Sequence, residues 1–268
     1  MLSIGRSSYY SWLKKQPGKR ALANLQLDQK IIHLFNAHQS RSGAPRITKD
    51  LQDIGESCSK NRVARRMKAC HLYAKAKRKF RITTDSKHNL PIAPNLLNRD
   101  FNAIKPNQKY VGDITYIWTH EGWMYLAVVI DLYSRAVIGW SMQATMTRDL
   151  VCDALMMALW RRGFPRDVIF HSDRGSQYCS DDYQKMLKHY GFICSMSRKG
   201  NCWDNSVAES FFHTLKTELT YTETYITREA AKQSTFNYIE TYYNRIRRHS
   251  HIGLISPMTF EAQYEMAG

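Results

Sequence analysis

The chain has 268 residues, 43% hydrophobic and 12% aromatic, enough to bury one large core or two modest ones and too apolar for a disordered chain. Its net charge of +16 points to a polyanionic partner. No apolar run reaches membrane-spanning length, and Arg6, Lys14 and Lys15 interrupt any signal core, so a cytoplasmic protein without membrane partners is expected.

The charge is unevenly spread. Residues 1–90 hold 20 Lys and Arg against 5 Asp and Glu, whereas residues 91–268 hold 19 against 18. That asymmetry suits a DNA-gripping module joined to a domain with another task. The six cysteines form no C-x-x-C pair, so reduced thiols are expected rather than disulfides or structural zinc.

In chain order, residues 24–38 predict an amphipathic helix with Leu25, Leu27, Ile31, Ile32, Leu34 and Phe35 on its apolar face. Gly43 and Pro45 break the pattern, a short helix follows around Ile47 to Ile54, and Gly55 ends it. Ser59 is placed to cap a third helix over residues 60–71. This helix–turn–helix cadence carries Lys60, Arg62, Arg65, Arg66 and Lys68, and Lys77, Arg78 and Lys79 follow. From Lys60 to Arg81 there are ten basic residues and no acid, as in a recognition helix flanked by phosphate contacts. A solvated basic helix is the plainer alternative.

Residues 1–81 are therefore read as a basic helical DNA-binding module and residues 82–108, with Pro91, Pro94 and Pro106, as a linker. From Lys109 the period changes to that of strands. Residues 109–119, 123–132 and 135–142 are rich in Val, Ile, Tyr and Trp and are separated at hairpin spacing. A helix capped by Thr147 runs to Arg162; strand 167–172, helix 181–190 and strand 192–196 follow, and a further helix starts near Asn205. The fold class expected is α/β: a helix–turn–helix-like module followed by a mixed five-stranded sheet with flanking helices. The catalytic core is assigned to residues 109–220 and a C-terminal helical extension to 221–268.

Three carboxylates gain special places in this layout. Asp113 lies inside the first strand, Asp173 directly follows the fourth, and Glu209 falls on the first turns of the last helix. An acid inside an apolar strand is costly to bury unless it is paired or binds a metal. Converging, the three would form an oxygen-only site for Mg²⁺ or Mn²⁺, with two ions about 3.5–4 Å apart as in metal-assisted phosphoryl transfer. Asp113 is expected to bridge, Asp173 to complete one metal and Glu209 the other. Taken singly, each acid could equally be a turn, cap or surface residue. Asp131 is read as a turn residue, though it is the main rival for a metal position.

Together these motifs resemble the OrfB-type transposases of a bacterial insertion-sequence family, within the retroviral integrase and RNase H-like superfamily. The resemblance runs through Gly112-Asp113-Ile114-Thr115-Tyr116, Ala127 to Leu132, His171-Ser172-Asp173-Arg174-Gly175, Gly200 to Asn205 and Ser210-Phe211-Phe212. Thirty-five residues separate Asp173 from Glu209, the spacing of that family's acidic triad. The resemblance implies cleavage of element ends and strand transfer by the freed 3′-hydroxyl, with Asp113, Asp173 and Glu209 as catalytic residues. It also implies a DNA-end contact at Lys216, double-stranded DNA partners, a homo-multimer on DNA and a nucleoid-associated location. A small protein encoded in the upstream frame, often fused by frameshifting, is a further implied partner. Arg247 and His249 close a basic run, Tyr243 to Ser250, that also matches; phosphate contact and a favourable helix-end charge are equal readings. A non-catalytic DNA-binding regulator, an inactive transposon remnant and a simple nuclease are the alternatives.

Overall fold

The structure is a computed structural model and describes residues 5–14, 16, 18–75, 91–198 and 202–267. The chain divides into two compact units, residues 1–76 and 77–268. No helix among the described residues is long and apolar enough to cross a membrane.

The first unit holds α1 (Arg6–Leu13), α2 (Lys19–Ala37), α3 (Ala44–Asp53) and α4 (Lys60–Ala69). Leu27, Ile31 and Phe35 recur every four residues on α2 and meet Ile47 and Leu51 of α3 and Val63 and Met67 of α4 in one buried cluster. The turn between α3 and α4 follows its residues: Gly55 takes φ +86°, and the Ser59 side chain accepts from the Arg62 N–H.

The second unit is built on a five-stranded sheet in the order β3-β2-β1-β4-β5. Its strands are β1 (Lys109–Thr119), β2 (Gly122–Asp131), β3 (Val137–Gln143), β4 (Ile169–Ser172) and β5 (Ile193–Met196). The first three are antiparallel, β4 runs parallel to β1, and β5 runs parallel to β4. One face carries α5 (Arg148–Arg162) and α6 (Asp181–His189). Gly139 of β3 admits α5 closely, since a Cβ there would lie 2.1 Å from the Ala154 carbonyl oxygen. The other face carries α7 (Ser206–Leu215), α8 (Arg228–Phe236) and two widened π-helical stretches, Lys216–Thr220 and Asn237–Tyr243. The chain closes with α9 (Pro257–Ala267).

Two expected boundaries shift. Residues 91–108 are not a free linker: Leu97 is buried in the sheet's core, and the Leu96 and Leu97 N–H groups donate to Ser195 Oγ. Residues 221–268 are no separate extension either, because Tyr225, Ala231, Tyr238, Ile239 and Tyr242 complete the same core. An apolar sheet face needs a cover, and these segments supply it.

Candidate active site

Strand register brings the first two acids together. Val111 of β1 pairs with His171 of β4 in parallel, and both chains run on for two residues, to Asp113 and Asp173. Residues in matching positions of parallel neighbours point to the same face. Gly112 lets the sheet close here, since a Cβ would sit 2.7 Å from the Phe170 ring. The Asp113 carboxylate accepts from the Ile114 N–H at 2.8 Å, and that of Asp173 from the Gly175 N–H at 2.9 Å. Burial, then the charge of Asp173, then that of Glu209 push the Asp113 carboxyl well above the usual carboxylate range; the Ile114 N–H and Lys216 oppose them.

Glu209 occupies the first turn of α7 with much of its surface open to solvent, while partial burial of its carboxyl and then the charge of Asp173 raise that carboxyl. Among the described residues, no three His, Cys, Asp or Glu side chains are gathered closely enough to enclose a metal ion. The site is a coupled aspartate pair with Glu209 as an outlying third arm. Its donors are oxygens only, and a hard divalent cation would relieve the repulsion that raises Asp113, so the residues fit Mg²⁺ or Mn²⁺.

The supports around the pair escaped the sequence reading, although several lie in the quoted motifs. Asn205, just before α7, donates to the Gly112 carbonyl at 3.2 Å and so ties the helix bearing Glu209 to the strand bearing Asp113. Asp204 is fully buried and accepts from Arg198, from Arg99 at 3.0 Å and from Asn95 at 2.9 Å. Arg198 above all holds its carboxyl below the usual range. His171 is buried, bonded to Ser195 Oγ at 2.8 Å and Ser197 Oγ at 3.1 Å, and burial lowers its pKa to about 4. A neutral imidazole thus joins β4 to the loop after β5. Asp131 is buried at the β2 turn, accepting from the Asn107 and Tyr133 N–H groups away from the pair.

Several expected DNA contacts sit differently. Lys216 is 6% exposed, with Nζ 4.7 Å from the Tyr116 ring centroid, and it offsets the charge of Asp113. Arg247 is not a surface cation: it is buried and bonded through Nε and Nη2 to Glu218, at 2.9–3.1 Å. A guanidinium closed on a buried carboxylate is unavailable to a phosphate. His249 stacks edge-on against Tyr243 and meets Arg247 at 3.2 Å. On α4, Lys60, Arg65 and Lys68 are exposed, whereas Arg62 bonds Asn24 and Arg66 bonds the buried Asp28. Lys77, Arg78 and Lys79 lie outside the described residues.

Known proteins share this layout. The integrase core domain family matches residues 103–202, a second integrase core family residues 209–264, and an HTH-like domain family residues 21–80. The chain is 50% identical over 263 residues to the transposase InsF for insertion sequence IS3A of Escherichia coli (strain K12), covering 97% of this chain and 91% of that protein. The chain belongs to the insertion-sequence transposases of the IS3 type. An uncharacterized 31 kDa protein of insertion element IS600 from Shigella sonnei is 43% identical, over 98% of this chain and 97% of that one. Among solved structures, a simian T-cell lymphotropic virus intasome in complex with PP2A regulatory subunit B56 gamma matches with a TM-score of 0.50 at 16% identity. That match covers 87% of this chain and 73% of the other, and it shows a shared fold. The transposase therefore joins an HTH-like DNA-binding unit to an integrase core.

Proposed function

We propose that this transposase cuts element ends and joins them to new DNA at Asp113, Asp173 and Glu209 with divalent metal, Mg²⁺ or Mn²⁺. The observation that carries the reading is the β1–β4 register, which sets Asp113 beside Asp173, where burial first and then the charge of Asp173 raise the Asp113 carboxyl. Asp113, Asp173 and Glu209 would hold the metal through their carboxylate oxygens. When bound, the metal supplies Lewis acidity toward phosphate oxygens and a more acidic water or 3′-hydroxyl.

The chain's own residues then position the reaction. Asn205 and the Asp204 clasp fix α7 against β1, so the three acids keep their places while DNA enters. Lys216 supplies a fixed cation beside Asp113 for the charge that grows on the phosphate. In the first step water attacks the phosphodiester at the element end; the P–O3′ bond breaks, and the leaving oxygen takes up a proton as a 3′-hydroxyl. In the second step that hydroxyl, giving up its proton, attacks a target phosphodiester and displaces the target's own 3′-oxygen. Lys60, Arg65 and Lys68 of α4 would grip duplex phosphates, and two element ends imply a multimer on DNA. A small upstream-frame protein would assist end recognition, as a partner or as a fusion.

The test is cleavage and joining of a labelled oligonucleotide bearing the element's terminal repeat, in Mg²⁺ or Mn²⁺, with and without the upstream-frame protein. Metal-dependent products that vanish in Glu209→Gln support the reading. Cleavage without joining would replace it with nuclease action, and silence under all conditions would leave a DNA-binding protein.

A further inference from the structure

Beside the acidic pair lies a cleft of about 490 Å³, of whose lining the proposed chemistry uses Lys216 alone. One wall is the β1–β2 hairpin, where Trp118 and Trp123 are register partners with ring centroids 4.8 Å apart. Trp118 is 57% and Trp123 44% exposed, although both belong to an otherwise well-buried hairpin. The facing wall is the π-helical stretch and the turn after it, with Thr220, Tyr221 and Thr224. Lys216 closes the inner end against Tyr116.

Exposed indole faces are costly in water unless something flat covers them. Here they line a concave slot with the hydroxyls of Thr220, Tyr221 and Thr224, the Lys216 ammonium, and the Glu223 carboxylate, which accepts from the Ser234 hydroxyl at 2.7 Å. A flat apolar body with a hydrogen-bonding edge, joined to an anion, fits that lining; a nucleotide has this form. Lys216 ties the cleft to the acidic pair. Tyr116 lies three residues, about 10 Å, beyond Asp113 and on the other face of β1, yet the Lys216 ammonium sits 4.7 Å from the Tyr116 ring centroid and offsets the charge of Asp113. A DNA strand with a phosphate at the aspartate pair would pass the mouth of the cleft within a few nucleotides.

We propose that this cleft holds one base of the reacting DNA strand, unstacked from its neighbours and laid against Trp118 and Trp123. Lys216, between Asp113 and Tyr116, stands on the path from this base to the reacting phosphate whose charge it offsets. The assignment rests on the reading that DNA reacts at Asp113 and Asp173. Drawing a base from a duplex requires unstacking energy, and stacking on tryptophan returns it. The held base would fix the strand's register, so that one particular phosphate meets the acids.

The experiment is equilibrium binding of the full chain, in chelator, to a terminal-repeat duplex and to a ladder of the same duplex with one abasic site moved position by position. The expected result is a loss of about 5- to 150-fold for Trp118→Ala on intact DNA, the range of one base–aromatic stack. One abasic position should weaken the unaltered protein similarly, and there Trp118→Ala should lose nothing more. Trp118→Phe, which keeps an aromatic face, should recover most of the affinity and rules out misfolding as the cause. Equal losses at every ladder position, or none, would overturn the proposal. So would a Trp118→Ala defect confined to self-association in sedimentation, which would mark the cleft as a contact between two copies. Glu209→Gln should bind the ladder as the unaltered chain does. Lost cleavage with the ladder pattern intact affects only the catalytic reading, whereas intact cleavage with a flat ladder removes only the base pocket.

Discussion

Glu218 and Asp113 sit in the same unit and meet opposite treatment. Glu218 is buried in the π-helical stretch after α7, bracketed by Arg247 and bonded by the Tyr238 hydroxyl at 2.8 Å. Asp113 lies on β1 beside another acid, and its carboxyl is pushed upward rather than neutralised. Asp204, clasped by two arginines, belongs with Glu218. The difference separates acids that hold the fold from acids that wait for a cation: the former are closed within the chain, while the latter carry unrelieved repulsion.

The largest effect is expected from opening a closed pair. Arg247→Met strands the Glu218 carboxylate in the core and should lower stability by about 3–5 kcal/mol in urea unfolding. A loss under about 1 kcal/mol would show that Glu218 is not held this way. Asp204→Asn should cost about 2 kcal/mol, because charged hydrogen bonds to Arg198 and Arg99 are lost. Its sign with pH is fixed. The folded carboxyl is held below its ordinary value, so the contribution is full above about pH 4 and disappears as pH falls through the folded value. Variant and unaltered protein should therefore converge in acid melting curves.

Asp113→Asn should do the reverse and stabilise the metal-free protein. The folded Asp113 carboxyl binds its proton more tightly than the unfolded one, so stability falls as pH rises above the ordinary value of about 3.9. The variant's melting temperature should exceed that of the unaltered protein at pH 8 in chelator, by about 2–4 °C for each kcal/mol relieved, and match it near pH 3. A lower melting temperature at pH 8 would count against a frustrated pair. The smallest effects belong to α4. Lys60→Ala should leave stability within about 0.5 kcal/mol and reduce the salt slope of duplex binding by about 0.9. Arg66→Ala should lose stability as well, because it unpairs the buried Asp28.

Much of this arrangement was legible in the sequence, for reasons that vary by element. The strands announced themselves because β-branched and aromatic runs have period two, and Gly55, Ser59 and Thr147 marked helix ends that the backbone respects. The convergence of Asp113 and Asp173 was expected from their places in and after strands, and the sheet order that makes β1 and β4 neighbours brings it about. Arg247 was misread because a basic run looks alike whether it faces water or a buried acid; only its partner, Glu218, twenty-nine residues away, decides. Lys216 was expected at the DNA end, but the helix widens at that residue and the lysine is buried against Tyr116. The linker was misjudged because prolines report local extension and say nothing of Leu97 finding a core.

The central claim is that the aspartate pair is a cation site left electrostatically open. Calorimetric titration of the full chain with Mn²⁺ at pH 8 tests it most directly. The account predicts saturable binding that weakens at least about tenfold in Asp113→Asn and in Asp173→Asn, while Lys60→Ala binds unchanged. Equal Mn²⁺ affinity in the unaltered chain and in Asp113→Asn would contradict it.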